Sequence, residues 1–383
     1  MTKLPIKLRK KLEKRIKENA FRTLTNKLGL IDFSSNDYLG LSREKKIKEK
    51  ISEILKTYHS DQNGSTGSRL LSGNSFLHAA LETYLAKFYN AESALIFNSG
   101  YNANLGFFAS VPQRNDIILY DEKCHASIRD GIGLSLAKSF KFKHNDINDL
   151  NLLTKRLKVC QESTIYLVTE SVFSMDGDSP DLITLVNWCQ KQKIHLIVDE
   201  AHAIGVLGKG MITQLNLEQG VFARVVTFGK AHGAHGAAIL GGSDLKNFLI
   251  NFCRSFIYTT APSPHTIATI WAAHQFLNSD NAKQQMKILQ QKIDYFKAIV
   301  ARNDLENYFC NSNSPIQVCQ IKGNEQVKKL SKKLQTQGFD VRPILSPTVQ
   351  KGEERLRFCV HVFNTEAAIE GVLDEVKRIL NEK

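Results

Sequence analysis

The chain has 383 residues, 42% of them hydrophobic, and carries 51 Lys and Arg against 38 Asp and Glu, a formal net charge of +13. That length exceeds one ordinary domain, so a large domain with a smaller companion is expected, while no apolar run reaches the eighteen or so residues of a membrane span or resembles a secretory h-region. Seven cysteines without a CxxC pair fit reduced thiols and a cytoplasmic location, and basic residues interleaved with acids, as in 7–15, read as solvated helix faces rather than as a nucleic-acid surface.

The first twenty residues form a basic amphipathic helix in which Glu13 and Glu18 argue against a transit peptide. A short strand at 30–33 is followed by the turn-rich Ser34-Ser35-Asn36-Asp37-Tyr38-Leu39-Gly40, a helix over 45–59 and a glycine-rich stretch over 64–73. From there to about residue 250, strands at 94–97, 116–120, 164–168, 196–198, 225–228 and 237–240 alternate with helices. This alternation predicts an α/β domain with a mostly parallel sheet covered on both faces. A long helix over 280–302 leads to a different pattern: a strand at 316–321, a helix at 324–337, strands at 339–344 and 355–362, and a last helix that Asn364 is placed to cap. The expected division is therefore an N-terminal segment 1–44, a large domain 45–279 and a C-terminal α+β domain 280–383.

Asp199 and Lys230 each close a short apolar run, one after His195-Leu196-Ile197-Val198 and the other after Val225-Val226-Thr227-Phe228-Gly229. Ligands of parallel α/β sheets bind beyond such strand ends. A buried lysine there has the depressed pKa that imine formation needs, and a carboxylate beside it could hold the pyridine nitrogen of pyridoxal phosphate (PLP) protonated. A helix cap and a surface lysine are the plainer alternative. Gly100 opens a helix after the strand at 94–97, where free N–H groups and the helix dipole favour a phosphate. His125 follows the strand ending at Tyr120 and could stack on an aromatic ring, or be an ordinary structural histidine. Ser174 and His202 are candidate donors to a ring oxygen, and Thr227, Thr259 and Thr260 offer hydroxyls for phosphate. Arg355 and Arg357 share one face of a strand, where either could clamp a carboxylate or face solvent. No HExxH or second ligand cluster suggests a metal.

Seven segments together resemble the α-oxoamine synthases: DFSSNDYLGLS at 32–42, GSTGSRLLSGN at 64–74, FNSGYNANLG at 97–106, HASIRDG at 125–131, TESVFSMDGD at 169–178, VDEAHAIGVLG at 198–208 and TFGKAHGAHGAA at 227–238. The resemblance implies the aspartate-aminotransferase-like fold of PLP enzymes (fold type I), with a mostly parallel seven-stranded sheet in the large domain. It implies Lys230 as the Schiff-base lysine, Asp199 as the pyridinium partner, His125 as the ring-stacking residue, and Ser174 and His202 as hydrogen-bonding side chains. Gly100, Tyr101 and Thr227 fall where the family binds the cofactor phosphate, and Thr259 and Thr260 resemble a hydroxyl pair that reaches it from a neighbouring subunit. Arg22, Thr348 and Arg357 match substrate-binding positions, with Arg357 the clamp for the amino-acid carboxylate.

The implied reaction is a decarboxylative condensation of an amino acid with an acyl thioester in a homodimer with shared sites. L-alanine with a pimeloyl thioester, on coenzyme A or a carrier protein, is the nearest pairing. Glycine with acetyl-CoA is the leading rival, followed by the serine–palmitoyl and aminolevulinate-forming pairings. Two departures from the family pattern stand out. Ala231-His232-Gly233-Ala234-His235-Gly236 has histidines where relatives usually carry an aromatic and then a small or polar residue, and the segment between Arg22 and Asp32 is shorter than is common. Both are expected near the acyl or coenzyme A channel.

Overall fold

The computed structural model of the chain describes residues 4–24, 29–157 and 162–382. Its strands in chain order are β1 (Ile31–Asp32), β2 (Ser93–Phe97), β3 (Ile117–Asp121), β4 (Lys138–Phe142), β5 (Ile165–Glu170), β6 (His195–Asp199), β7 (Ala223–Thr227), β8 (Ala237–Gly241), β9 (Ile316–Gln320), β10 (Phe339–Asp340), β11 (Arg342–Ile344) and β12 (Arg355–Cys359). The chain divides into two units: Asp37–Ser174 with Ser179–Lys287, and Met1–Asn36 with Met175–Asp178 and Ile288–Lys383.

The larger unit holds a seven-stranded sheet in the order β2-β8-β7-β6-β5-β3-β4. Only β8 runs against the others, pairing antiparallel with β2 and β7. Because side chains alternate across a strand, each central strand feeds two cores. Ile118, Val168, Ile197 and Val225 pack with Phe107, Phe108 and Ile128. Their neighbours Leu119, Leu167, Leu196 and Val198 pack with Leu150, Leu185 and Val186. Burial on both faces is why these strands read as continuous apolar runs.

The edge strand β4 was not predicted, and its composition explains the omission. Only Phe142 of its five residues is buried, and Lys138 and Lys141 are exposed, the charged pattern that protects a sheet edge. Helices begin where a side chain accepts an otherwise unpaired N–H: Ser75 from His78, Ser99 from Asn102 and Asp181 from Thr184.

In the smaller unit, β11-β12-β9 form an antiparallel sheet, and β1 pairs in parallel with β10. That pairing is why the first 36 residues group with the C-terminal part of the chain. The single strand expected over 339–344 is broken at Val341, whose N–H donates to Phe339 O at 3.1 Å, so its two halves join different sheets. The last helix, Glu366–Asn381, is capped by Thr365 rather than Asn364. Asn364 is already engaged, donating to Asp32 O at 2.9 Å and accepting from the His361 N–H at 2.8 Å.

No disulfide joins any of the six described cysteines, and Cys160 lies outside the described residues. No helix among the described residues is long and apolar enough to cross a membrane.

Candidate active site

In the larger unit, chemistry-bearing residues collect at the carboxyl ends of strands. Asp199 ends β6, Glu170 ends β5 and Thr227 ends β7, while Gly100 and His125 lie just past the ends of β2 and β3. Strand direction therefore gathers groups far apart in sequence.

Asp199 is buried, with Oδ2 accepting from Asn104 Nδ2 at 2.7 Å and Oδ1 from the Ala201 N–H at 2.9 Å. These donors fix the carboxylate. Lys230 Nζ lies 2.7 Å from His202 Nε2, and His202 Nδ1 lies 2.8 Å from the hydroxyl of the fully buried Tyr38. The lysine stands on a tight turn in which the Gly233 N–H donates to Lys230 O at 2.9 Å. Gly233 has φ +60°, and a Cβ there would fall 2.1 Å from Ser42 N, so only glycine lets segment 41–42 lie against this turn.

His125 caps the helix Ala126–Leu134, its Nδ1 accepting from the Ser127 N–H at 3.2 Å. Burial lowers the pKa of its imidazole; the Asp199 charge opposes that shift and the Lys230 charge adds to it. The His125 N–H donates to Glu170 Oε1 at 2.6 Å. Glu170 is buried and stands opposite Asp199 in the β5–β6 register. Burial first, then the Asp199 charge, push its pKa up to about 8 against the pull of Lys230. Asp199 and Lys230 thus both act on His125 and Glu170, which brings the four groups into one electrostatic neighbourhood.

The helix Gly100–Ser110 opens beside Thr227: a Cβ on Gly100 would lie 3.3 Å from the threonine side chain. Thr227 Oγ1 donates to Gly236 O at 3.2 Å. Asn98 Nδ2 donates to Thr259 Oγ1 at 3.0 Å and to Thr260 O at 2.8 Å, bringing that pair to the end of β2. Tyr101 is exposed and donates to Asp130, and Ser174 is buried in the loop after β5. A helix start with a small residue, a threonine beside it, a fixed carboxylate and a lysine form a donor set that suits PLP.

In the smaller unit, Arg22 Nη2 donates to Thr348 Oγ1 at 3.0 Å. Arg357 is buried and donates to Asn36 Oδ1 at 3.0 Å. Arg355 is bound up in structure, donating to Asp176 Oδ1 at 2.5 Å, to Met175 O and to Glu353 O. Neither strand arginine faces solvent.

Three participants escaped sequence reasoning: Tyr38, Asn104 and Glu170. Each lies inside a quoted motif, yet their partners are distant in the chain. Asn104, one helical turn past Gly100, was the most accessible of the three. His232 is 1% exposed and packs against Phe228 and His274. The shortened segment after Arg22 falls partly on residues 25–28, outside the described residues. No group of three His, Cys, Asp or Glu among the described residues could hold a metal ion.

The family model "Aminotransferase class I and II" matches residues 29–376. The chain is 38% identical over 370 residues to the 8-amino-7-oxononanoate synthase of Emericella nidulans, spanning 90% of this chain and 88% of that protein. The crystal structure of the 8-amino-7-oxononanoate synthase from Francisella tularensis superposes with a TM-score of 0.77 at 30% identity, over 92% of this chain and 98% of that one. A PLP-bound serine palmitoyltransferase from S. paucimobilis shares the fold, with a TM-score of 0.87 at 23% identity over 98% and 97% of the two chains. The chain belongs to the aminotransferase class I and II family, with its fold-type-I architecture, and groups there with the 8-amino-7-oxononanoate synthases.

Proposed function

We propose that this protein is a PLP-dependent acyltransferase that condenses L-alanine with a pimeloyl thioester, releasing carbon dioxide and the free thiol and forming 8-amino-7-oxononanoate for biotin biosynthesis. The observation that carries the reading is the shared neighbourhood of Lys230, Asp199, His125 and Glu170 at strand carboxyl ends, in a chain 38% identical to a synthase of that name. When bound, PLP supplies an electron sink for the charge left at the amino-acid Cα.

The chain's own residues do the rest. Lys230 would hold the cofactor aldehyde, and its freed amine would remove and later return a proton at the amino-acid Cα. Asp199, held by Asn104 and the Ala201 N–H, offers a fixed negative charge for a protonated ring nitrogen. His125 covers the ring face and donates to the oxygen of the attacked thioester carbonyl, where negative charge develops. Its lowered pKa keeps the imidazole neutral, so one ring nitrogen bears hydrogen while the other holds the Ser127 N–H. His202 and Ser174 donate to the ring oxygen. Gly100, Tyr101 and Thr227 receive the phosphate, with Thr259 and Thr260 completing that cradle from a second subunit. Arg357 binds the amino-acid carboxylate, and Arg22 and Thr348 contribute to substrate binding.

Assembly as a homodimer is supported by large apolar side chains that one chain leaves uncovered, among them Leu71, Phe76 and Tyr258. A cytoplasmic location is supported by the cysteine usage. Neither nucleic acid nor membrane is a partner in this reading.

The test uses purified protein supplied with PLP. L-alanine, glycine and L-serine are each offered with a panel of acyl thioesters, and the aminoketone is identified by mass. L-alanine with the pimeloyl thioester should give the highest kcat/KM, and Lys230→Ala should lose both turnover and the visible imine absorbance. A variant that keeps that band removes Lys230 from its role; faster turnover of glycine with acetyl-CoA removes the alanine–pimeloyl assignment.

A further inference from the structure

Behind the Lys230 turn lies a buried polar chain that the reaction does not use. Tyr89 Oη is 2.9 Å from His274 Nε2 and 3.3 Å from His232 Nε2, and His274 Nδ1 is 2.7 Å from Ile270 O. All three side chains are buried, and the two imidazoles lie ring against ring with centroids 4.5 Å apart. Phe228 and Phe88 wall the cluster. Arg224 borders it, its guanidinium 5.5 Å from the Tyr89 ring and donating to Tyr89 O.

The donors can be assigned from chemistry alone. A carbonyl only accepts, so His274 carries its hydrogen on Nδ1 and, as a neutral ring, accepts at Nε2. The single Tyr89 hydrogen goes to that nitrogen. Tyr89 oxygen must then accept from His232, which carries its hydrogen on Nε2. The remaining atom, His232 Nδ1, is buried without a hydrogen-bond partner. It faces Gly205, where a Cβ would stand 3.5 Å away. The chain therefore runs one way, from His232 through Tyr89 and His274 to Ile270 O.

His232 lies within the turn closed from Gly233 to Lys230. Any rotation of that turn that re-aims Lys230 away from His202 also moves His232 off Tyr89 and strands a donor and an acceptor in an apolar core. We propose that His232, Tyr89 and His274 are positioning residues for Lys230, a one-way hydrogen-bond chain that fixes the turn from which the lysine reaches the cofactor and substrate. The proposal rests on Lys230 being the amine that captures PLP.

The experiment compares wild type with Tyr89→Phe, His232→Gln and His232→Leu. Tyr89→Phe removes one oxygen and keeps the ring, while the glutamine amide keeps an N–H donor near the place of Nε2. Cofactor-free protein is mixed with PLP, the amine condenses with the aldehyde with loss of water, and borohydride delivers hydride to the resulting C=N bond. The rate of labelling at Lys230 is read by mass, beside kcat, KM for the amino acid and the melting temperature of the cofactor-free protein. Wild type labelled at Lys230 establishes the premise, and wild type left unlabelled there defeats the functional reading itself.

Tyr89→Phe and His232→Leu are expected to be labelled about tenfold more slowly and to lose about tenfold in kcat with KM within twofold, the signature of a displaced reacting group. His232→Gln should return to within about threefold of wild type. Labelling and kcat at wild-type level in the first two variants, with only the melting temperature reduced, would reduce the chain to a structural role and overturn the proposal. So would a His232→Gln protein as slow as His232→Leu. If Tyr89→Phe does not fold, the two His232 variants decide. Nitrogen-15 histidine spectra of the cofactor-free protein give an independent reading, with Nδ1–H expected at His274 and Nε2–H at His232; the opposite tautomers would defeat the assigned direction.

Discussion

Lys230 Nζ lies 2.7 Å from His202 Nε2, and the other nitrogen of that imidazole lies 2.8 Å from the Tyr38 hydroxyl. An ammonium can only donate, so beside a charged lysine His202 accepts at Nε2 and gives its Nδ1 hydrogen to Tyr38. A hydroxyl also serves as donor. When His202 turns donor toward a ring oxygen at Nε2, Tyr38 can rotate its hydrogen onto Nδ1, and the ring changes tautomer without gaining charge. Tyr38 is thus the partner that lets one histidine face both a cation and an anion.

Removing that partner gives the first prediction. His202→Leu should lower kcat by roughly 10²- to 10³-fold, the range for losing a donor at developing charge. Tyr38→Phe should cost about tenfold, near the net value of one hydrogen bond. The double variant should be no worse than His202→Leu alone, because Tyr38 acts through the histidine. Steady-state kinetics on the three proteins check this, and additive losses would assign Tyr38 a separate task.

Glu170 gives a pH prediction. Its folded-state pKa is raised, by burial first and Asp199 second, to about 8 from the ordinary 4.5. The folded protein therefore holds a proton that the unfolded chain releases above its own pKa, and this contribution to stability is full below about 4.5 and is lost as pH rises through about 8. Glu170→Gln keeps an acceptor for the His125 N–H and cannot ionise. The melting temperature of the cofactor-free variant should gain on wild type progressively between pH 5 and pH 8.5. A constant difference across that range would show that Glu170 is ionised throughout.

Which parts were legible from sequence follows from how local each signal is. β5, β6 and β7 announce themselves as β-branched runs because both their faces are buried, and Asp199 and Lys230 stand out because each closes such a run. His202 shares a segment with Asp199. Tyr38 with His202, Asn104 with Asp199, and Tyr89 with His232 are made by tertiary folding alone, so no window along the chain contains both partners. β4 was missed because a charged edge strand lacks an apolar signal. The break at Val341 was missed because a tight turn within an extended segment leaves the residue pattern unchanged. His232 stands out in the sequence only as a departure from the family pattern, and its burial depends on Tyr89 and His274, whose neighbours in sequence carry no hint of it.

Glu200 and Arg224 bear on the rigidity of this region. Glu200 is fully buried, its Oε2 accepting from Arg224 Nε at 2.7 Å and its Oε1 from the Ile212 N–H at 3.0 Å. Arg224 also donates to Tyr89 O and Lys209 O, tying β7 to the end of the helix Phe76–Phe88. Arg224→Leu leaves a buried carboxylate uncompensated and should destabilise the protein by about 3–5 kcal/mol. Replacing both residues, Glu200→Leu with Arg224→Leu, should recover part of that loss because the stranded charge is gone. Denaturant unfolding of the cofactor-free proteins measures both; a single variant within about 1 kcal/mol of wild type would show that water reaches the pair.

The buried histidines give a slope of opposite sign to that of Glu170. Burial lowers the pKa of His274 from 6.5 to about 4, and burial with the neighbouring His274 lowers that of His232. The groups packed around them are Tyr89, Phe88 and Phe228, with the Arg224 guanidinium beyond Tyr89 and the Glu200 carboxylate paired to it. A depressed histidine is neutral in the folded protein and takes a proton on unfolding, so its contribution is fully present above about 6.5 and is lost as pH falls toward about 4. For His274 alone that span corresponds to roughly 3 kcal/mol. Because Glu170 gains over part of the same range, the total curve hides the effect and a difference measurement isolates it. His274→Phe fills the site and cannot titrate; it leaves the Tyr89 hydroxyl without an acceptor and starts lower at pH 7 by about 1–3 kcal/mol. Its deficit should shrink steadily as pH falls from 6.5 to 4.5, read from denaturant unfolding at each pH. A deficit that stays constant would mean that His274 keeps an ordinary pKa in the fold, so that below about pH 6.5 its ring would be largely cationic and unable to accept from Tyr89.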